Sequence, residues 1–532
     1  MTPSGSALKN PYAGSWTSAY TAGDADQTVA WNATFGVFYG VRIAESLTND
    51  LVVFRVDPAV GPEMQNPMVV VENSDADRTD IASGTARGFG EDPQDPLYTA
   101  AGENLVYLIY GPLGVSGETS MRFTRARNGG AQPEDWLSES LVVTPGIVSA
   151  VPRLAVDGDG ILHVAHTDWN GAVGHSYSVS DGTQWTTDDT GATRNDSAIN
   201  HNGRVDGSFN VYVTTMIAVD RRAGMSGVYV TYHDADDEHP TDLDVFLVPG
   251  ERDPATGEVA WGPKVNLSDA FEEPGGIQVD QFFPMLYVGD RGYLHLVWTE
   301  ADDPDPQNES INPVVRIVHV YWSRPTVNPY CPGGVARGRT VINDELETGS
   351  GTFEQTQIGE YMGLDGRGNH ILAVFPSTRN NGWLNRRIYS CDIFFSTGDL
   401  DGDGSVDLND FATFSLCFNS QSCDCATSDL NDDDLVDLND FATFAVEFTG
   451  SLGCPTGGGD QQGSPAGGDG DTWPLDLAGL ASLAEWSRTV LPEQSWHDLA
   501  AACLEVAAEE ADSPRGVLHA TFAELLLDDP PQ

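Results

Sequence analysis

Two acidic dodecapeptides carry the most specific chemistry in this chain: DLDGDGSVDLND at 399–410 and DLNDDDLVDLND at 429–440, thirty residues apart and each followed by FATF. A twelve-residue loop that wraps a hard cation needs oxygen side chains at positions 1, 3, 5, 9 and 12 and a backbone carbonyl at 7. It also favours Gly at 6, where the chain turns with positive φ. The first copy offers Asp399, Asp401, Asp403, Asp407 and Asp410, with the Ser405 carbonyl at 7 and Gly404 at 6. The second offers Asp429, Asn431, Asp433, Asp437 and Asp440, with the Leu435 carbonyl at 7. Without a divalent ion these carboxylates repel one another at short range. Ca²⁺ suits them better than Mg²⁺, because many flexible carboxylates supply about seven oxygens without octahedral geometry. Two calcium sites are therefore expected. Asp434 stands where Gly belongs in the second loop, which predicts weaker binding there.

Each loop runs into an apolar stripe at near-helical spacing: Leu408, Phe411, Phe414 and Phe418, then Leu438, Phe441, Phe444 and Phe448. A loop–helix half with one stripe and no second helix of its own has to bury that stripe against its twin. Metal and mutual packing together would then fold a segment too small to fold well alone. Of seven cysteines, Cys417, Cys423, Cys425 and Cys454 crowd this region, while Cys331, Cys391 and Cys503 stand apart. Four close cysteines allow three complete disulfide pairings and point to an oxidising compartment. Zinc is the competing reading, weakened by the lack of a nearby His and by the CDC spacing.

Residues 398–454 resemble a type I dockerin, through the paired D-x-[DN]-x-D-x-x-V-D-L-N-D pattern with Asp rather than Glu at position 12. The resemblance implies a duplicated calcium loop–helix module that plugs into a cohesin domain on a scaffold or cell surface. Leu408-Asn409 and Leu438-Asn439, at loop positions 10 and 11, match the family's recognition positions and are identical in the two halves. Asp434 and the cysteine-rich insertion between the repeats depart from the family pattern.

The elements that must carry this module follow from the rest of the chain. At 532 residues the protein divides into domains. Asp and Glu outnumber Lys and Arg by 80 to 26, a formal charge of −54, and Lys9 and Lys264 are the only lysines. That balance argues against nucleic acid or an anionic membrane as a partner. No run of about 18 apolar residues is present, so no membrane span is expected. MTPSGSALKN lacks the features of a secretory signal, yet the cysteines and the dockerin-like segment point to an extracellular or cell-surface protein.

Residues 1–396 read as β structure, in short apolar runs broken by Gly, Asp, Asn and Pro. A strand, a Gly-Asp turn and a second strand recur as LAVDGDGILHVAH (154–166), LYVGDRGYLHLVW (286–298) and MGLDGRGNHILAVF (362–375). Looser copies lie at 97–110 and 217–232, and the turn glycines Gly102, Gly160, Gly227, Gly292 and Gly368 are spaced by 58, 67, 65 and 76 residues. With GVFYGVRIAES (36–46) and DLVVFRV (50–56) supplying one more unit, the expectation is a mainly β, six-bladed propeller. It would be followed by the calcium module at 397–454, a Gly-rich linker at 455–471 and a helical tail at 472–532. The tail reads as a docking element or a self-packed appendix.

The first part also resembles sialidase-type, BNR-repeat propellers. SVSDGTQW (178–185) approximates the family's Asp-box turn through Ser178, Gly182 and Trp185, with Asp181 one step late, and NGGAQPEDW (128–136) is a more degraded echo. Such boxes stabilise hairpins and speak to fold. The resemblance implies a glycan ligand, and an active sialidase or glycoside hydrolase is one alternative beside a noncatalytic surface protein. Arg42 sits somewhat like the family's early arginine, with Ala44 in place of the expected Pro. No full catalytic set can be assigned. The starts of innermost strands, where propeller ligands commonly bind, nominate Asp280 with Gln281, and Glu360 with Tyr361.

Overall fold

The computed structural model describes strands and turns between residues 24 and 394, together with much of 396–447. Residues 1–23, residues 448–532 and the longer connections lie outside the described residues, and with them the expected linker, the helical tail, Gly368, Glu360 and Tyr361. The chain divides into two compact units, Met1–Ile317 with Val341–Asp365 and Leu372–Cys391, and Val318–Thr340 with Gly366–Ile371 and Asp392–Gln532.

The structure is mainly β. Its sheets are antiparallel meanders that follow one another along the chain. Sheet 1 holds β1 (Asp24–Asn32), β2 (Val37–Ala44), β3 (Asp50–Val56) and β4 (Gln65–Val71). Sheet 2 holds β5 (Ala76–Thr85), β6 (Asn104–Pro112), β7 (Met121–Ala126) and β8 (Leu141–Thr144). Sheet 3 holds β9 (Arg153–Val156), β10 (Leu162–Thr167), β11 (Ala172–Ser178) and β12 (Thr186–Thr193). After a small hairpin, β13 (Arg204–Val205) and β14 (Phe209–Asn210), sheet 4 holds β15 (Thr215–Val219), β16 (Gly227–Ala235), β17 (Leu243–Arg252) and β18 (Val259–Trp261), with β19 (Val265–Asn266) also on β17. Sheet 5 is β20 (Asp280–Val288), β21 (Leu294–Asp302), β22 (Asn312–Trp322) and β23 (Gly334–Val341). Sheet 6 is β24 (Gly363–Arg367), β25 (His370–Ser377) and β26 (Arg387–Phe394).

Within the first unit, first strands pack on first strands: β1 on β5, β5 on β9, β9 on β15 and β15 on β20. The core lies between the faces of successive sheets. In β6, Val106, Leu108 and Tyr110 join Tyr39, Val41 and Leu51 of sheet 1. The alternate residues Leu105, Tyr107 and Ile109 join Leu154, Val156 and Val164 of sheet 3. Both faces of the strand are covered, so NLVYLIY reads as a continuous apolar run rather than an alternating one. Close packing of first strands constrains side-chain size: a Cβ on Gly84 of β5 would fall 2.5 Å from Val156 Cγ1 of β9.

Two of the expected hairpins form differently. The strand that pairs with β6 is Ala76–Thr85, not the run at 97–100, because residues 86–103 form a loop pinned at its neck by Ala86 N–H to the Glu103 carbonyl at 2.6 Å. In the β15–β16 turn, Gly224 rather than Gly227 takes the left-handed conformation, with φ of 75°. Gly227 is the first residue of β16 and its carbonyl accepts from Asp220 N–H.

Candidate functional site

Two helices follow the acidic loops, α1 (Leu408–Cys417) and α2 (Leu438–Glu447). The inner phenylalanines of their stripes meet, while Phe448 and the side chains of Leu408 and Leu438 lie outside the described residues. Phe411 stacks edge-on against Phe441 at 5.7 Å between ring centres, and Phe414 lies over Phe444 at 5.4 Å. Loop residues close the same core: Leu400, Val406, Leu430 and Val436 are all buried.

The position-12 carboxylates, Asp410 and Asp440, are fully buried at the start of each helix. Asp410 Oδ1 accepts the backbone N–H of Leu400 at 2.6 Å, and Asp440 Oδ1 accepts that of Leu430 at 2.6 Å. In both copies position 12 thus closes the loop onto position 2. In the second copy Asp440 Oδ2 also accepts Asp437 N–H at 2.7 Å, while Asp437 Oδ1 accepts Asn439 N–H at 2.7 Å. That reciprocal pair caps α2. Residues 398–454 contain no Lys, Arg or His. The oxygen-only donor set with two buried acids therefore fits a hard divalent ion.

Asp399 is half-buried and Asp429 buried at the two first positions, and Leu435 is half-buried at position 7 of the second loop. Asp401, Asp403, Ser405, Asp407, Asn431 and Asp433 lie outside the described residues. Among the described residues no three His, Cys, Asp or Glu surround a common point. Cys417 and Cys425 form a disulfide with Cα atoms 5.2 Å apart, tying the end of α1 to the segment that enters the second loop. Cys423 and Cys454 lie outside the described residues.

At the strand starts of the larger unit, Asp280 opens β20, and its side chain lies outside the described residues, as does that of Arg42 in β2. The neighbouring Gln281 pairs in register with Glu300 of β21, and both are buried. Glu300 Oε1 accepts from the Trp298 indole at 3.1 Å. Among the described residues Gln281 Oε1 has no hydrogen-bond partner. Phe283 follows, at the β-bulge of β20, with φ of 54°, an uncommon conformation for a bulky residue, and its ring meets His233 edge-on at 6.0 Å.

The sequence reading missed Asp80. Its Oδ2 accepts Leu154 N–H of β9 at 2.8 Å, and its Oδ1 lies 3.8 Å from Arg153. Burial pushes this carboxyl up, opposed by Arg153 and by the N–H groups of Leu154 and Ile81. Thr167 and Thr215 meet at 2.6 Å across the next pair of sheets. The only signal for these groups was a polar residue inside an apolar strand.

The turns between third and fourth strands are where the box-like motifs fall. Asp181, with φ of 50°, accepts Arg87 N–H and Gly88 N–H at 3.0 Å each and the Thr99 hydroxyl, fastening sheet 3's turn to sheet 2's long loop. Arg125 of β7 donates to the Asp181 carbonyl and to that of Leu97. Within the turn, Ser178 Oγ accepts Gly182 N–H at 3.0 Å and the Trp185 indole donates to the Gly182 carbonyl at 2.9 Å. The turn at 128–136 includes a short 3-10 segment, Pro133–Asp135, ending at the buried Trp136. A third such turn escaped notice: Asp253 Oδ1 accepts Ala255 N–H at 2.7 Å, and β18 after it carries Trp261.

No family model and no curated protein matches the sequence. Among solved structures, the chain is similar to a triple arginine-to-alanine mutant of AofleA from Arthrobotrys oligospora, at 11% identity over 69% of this chain and 79% of that one, TM-score 0.32. It is similar to the polysaccharide lyase Uly1 at 11% identity over 71% and 92%, TM-score 0.35. With a point mutant of NanB sialidase from Streptococcus pneumoniae it shares 9% identity over 48% of this chain and 33% of the sialidase, TM-score 0.29.

Proposed function

We propose that this is an extracellular calcium-binding protein whose residues 1–396 form a six-bladed propeller directed at carbohydrate. A dockerin-like module at 397–454 would tether it to a cohesin-type partner and so bring it to polysaccharide degradation. Asp399, Asp401, Asp403, Asp407 and Asp410, with the Ser405 carbonyl, would hold one Ca²⁺. Asp429, Asn431, Asp433, Asp437 and Asp440, with the Leu435 carbonyl, would hold a second, weaker one.

One observation carries the module: two copies of a buried position-12 aspartate that closes its own loop at the same length. Matching hydrogen bonds in two halves are expected of a duplicated ion-binding fold and not of solvated acidic loops. The succession of meander sheets packed through their first strands supports the propeller reading. The Cys417–Cys425 bridge favours an oxidising, extracellular setting. The second reading, an active sialidase or other glycoside hydrolase, draws on the Asp-box-like turns and on Glu300, a buried acid paired in register with Gln281 at the start of β20.

Calorimetric titration of the full chain with Ca²⁺ tests the module. Two binding events are expected, with Asp410→Ala removing the tighter and Asp440→Ala the weaker. No heat above dilution would overturn the module reading. For the larger unit, binding to a glycan panel without turnover supports recognition, turnover abolished by Glu360→Gln or Glu300→Gln supports hydrolysis, and neither overturns the carbohydrate reading.

A further inference from the structure

Between sheets 3 and 4 a row of buried polar side chains runs from Arg252 to Asp188. Arg252 Nε of β17 lies 2.8 Å from Asp157 Oδ2, and Arg252 Nη2 lies 2.6 Å from Asp159 Oδ2. Asp157 Oδ2 faces His163 Nε2 at 3.3 Å, His163 Nδ1 faces His175 Nε2 at 3.1 Å, and His175 Nδ1 faces Asp188 Oδ2 at 3.7 Å. Both imidazoles are fully buried and stacked 5.3 Å apart, and Trp261 closes over His175 edge-on at 5.1 Å.

The tautomers follow by elimination. Burial works against the Asp157 charge, but His163, Arg252 and the Ile161 N–H outweigh it and hold this carboxyl below its usual range. Asp157 is therefore a carboxylate acceptor, and His163 carries its proton on Nε2. With His163 neutral its Nδ1 is a lone pair, and His175 then donates to it from Nε2. That leaves His175 Nδ1 bare, pointing at another acceptor. His175 Nδ1 and Asp188 Oδ2 are both buried, and among the described residues neither has a partner at hydrogen-bond distance, the two lying 3.7 Å apart. Two unpaired acceptors facing each other are a defect that one hydrogen repairs.

We propose that this seam is a single-proton switch: one proton from solvent, taken up at His175 Nδ1, completes a continuous chain of hydrogen bonds from Arg252 to Asp188. The new N–H would donate to Asp188, the residue opposite His175 on β12. The Asp188 side chain is 19% exposed and provides the route from solvent. In the deprotonated state the outer strand is held to β11 by its backbone and by Ser176–Thr187, whose hydroxyls lie 3.0 Å apart. In the protonated state it gains a charge-assisted bond. The other titratable groups around His175 are His163 and His166 on β10, Tyr177 on its own strand, and Glu258, which acts through Tyr177 from the turn before β18. Burial delays the proton most and Asp188 favours it, giving a midpoint at about 4.

The test is a nitrogen-15 imidazole spectrum of the full chain, histidine-labelled, from pH 7.5 to 4, with His175 and His163 assigned through His175→Gln and His163→Gln. The expected result is a His175 that is bare at Nδ1 at pH 7.5 and gains its second proton well below 6.5. Simultaneous protonation of both rings, or a His175 midpoint near 6.5, would overturn the proposal. Asp188→Asn offers an amide N–H to His175 Nδ1. It should raise Tm at pH 7.5 by several degrees and lower the His175 midpoint by at least half a unit. An unchanged midpoint and Tm would count against the switch. So would a wild-type Tm at pH 7.5 that rises with added Zn²⁺ and ceases to do so in Asp188→Asn, since a metal would then occupy the gap.

Discussion

Single acceptors decide several local structures here, and their removal has calculable consequences. Asp181 receives two backbone N–H groups and a hydroxyl from the loop of the preceding sheet. Asp181→Ala leaves those donors unpaired, at about 1–3 kcal/mol for each one that stays buried. Asp181→Asn keeps an acceptor and tolerates the left-handed backbone. Urea unfolding should rank the alanine variant well below the asparagine one; equal losses would deny Asp181 its fastening role. His175 gives a pH dependence of defined sign. Its folded value of about 4 lies below the ordinary 6.5, because burial penalises the cation. The unfolded chain therefore takes the proton first as pH falls. Stability from this group is whole above 6.5 and is lost between 6.5 and 4, by about 3 kcal/mol at 1.36 kcal/mol per unit. Unfolding free energies at pH 7.5 and 4.5 should converge in His175→Phe relative to wild type.

At the scale of elements, β6 shows what burial on two faces requires. Leu108 touches sheet 1 and Tyr107 sheet 3, so truncation on either face opens a cavity in a different interface. Leu108→Ala should cost about 2–5 kcal/mol, measured as a lower urea midpoint with unchanged slope. A change under about 1 kcal/mol would mean the sheets repack freely. The strands at 37–44 and 50–56, the Gly160 and Gly292 turns and both Phe stripes are readable from sequence, because turn glycines and helical spacing are local signals. The partner of β6 is not. A contiguous hairpin at 97–110 satisfies the local rules, but the strand that pairs lies across an eighteen-residue loop, held by Asp181 from another sheet. No local pattern encodes that contact. The polar seam from Arg252 to Asp188 is equally hidden, since its members come from four strands and a turn and each reads alone as an isolated polar residue.

For the whole molecule, the two compact units should respond to different variables. The larger one buries its apolar residues between sheets and owes its stability to that burial. The smaller one carries two buried aspartates and no basic side chain within 398–454, so its folded state gains from any divalent ion it binds. At a free Ca²⁺ concentration about one hundred times the dissociation constant, linkage adds about 2.7 kcal/mol per site. Differential scanning calorimetry of the full chain, in excess EGTA and then in millimolar Ca²⁺, reads this directly. One transition should move up by several degrees with calcium while the transition of the larger unit stays in place, and Asp410→Ala with Asp440→Ala should abolish the shift. Superimposable thermograms in EGTA and Ca²⁺ would contradict a calcium-folded tether at 397–454.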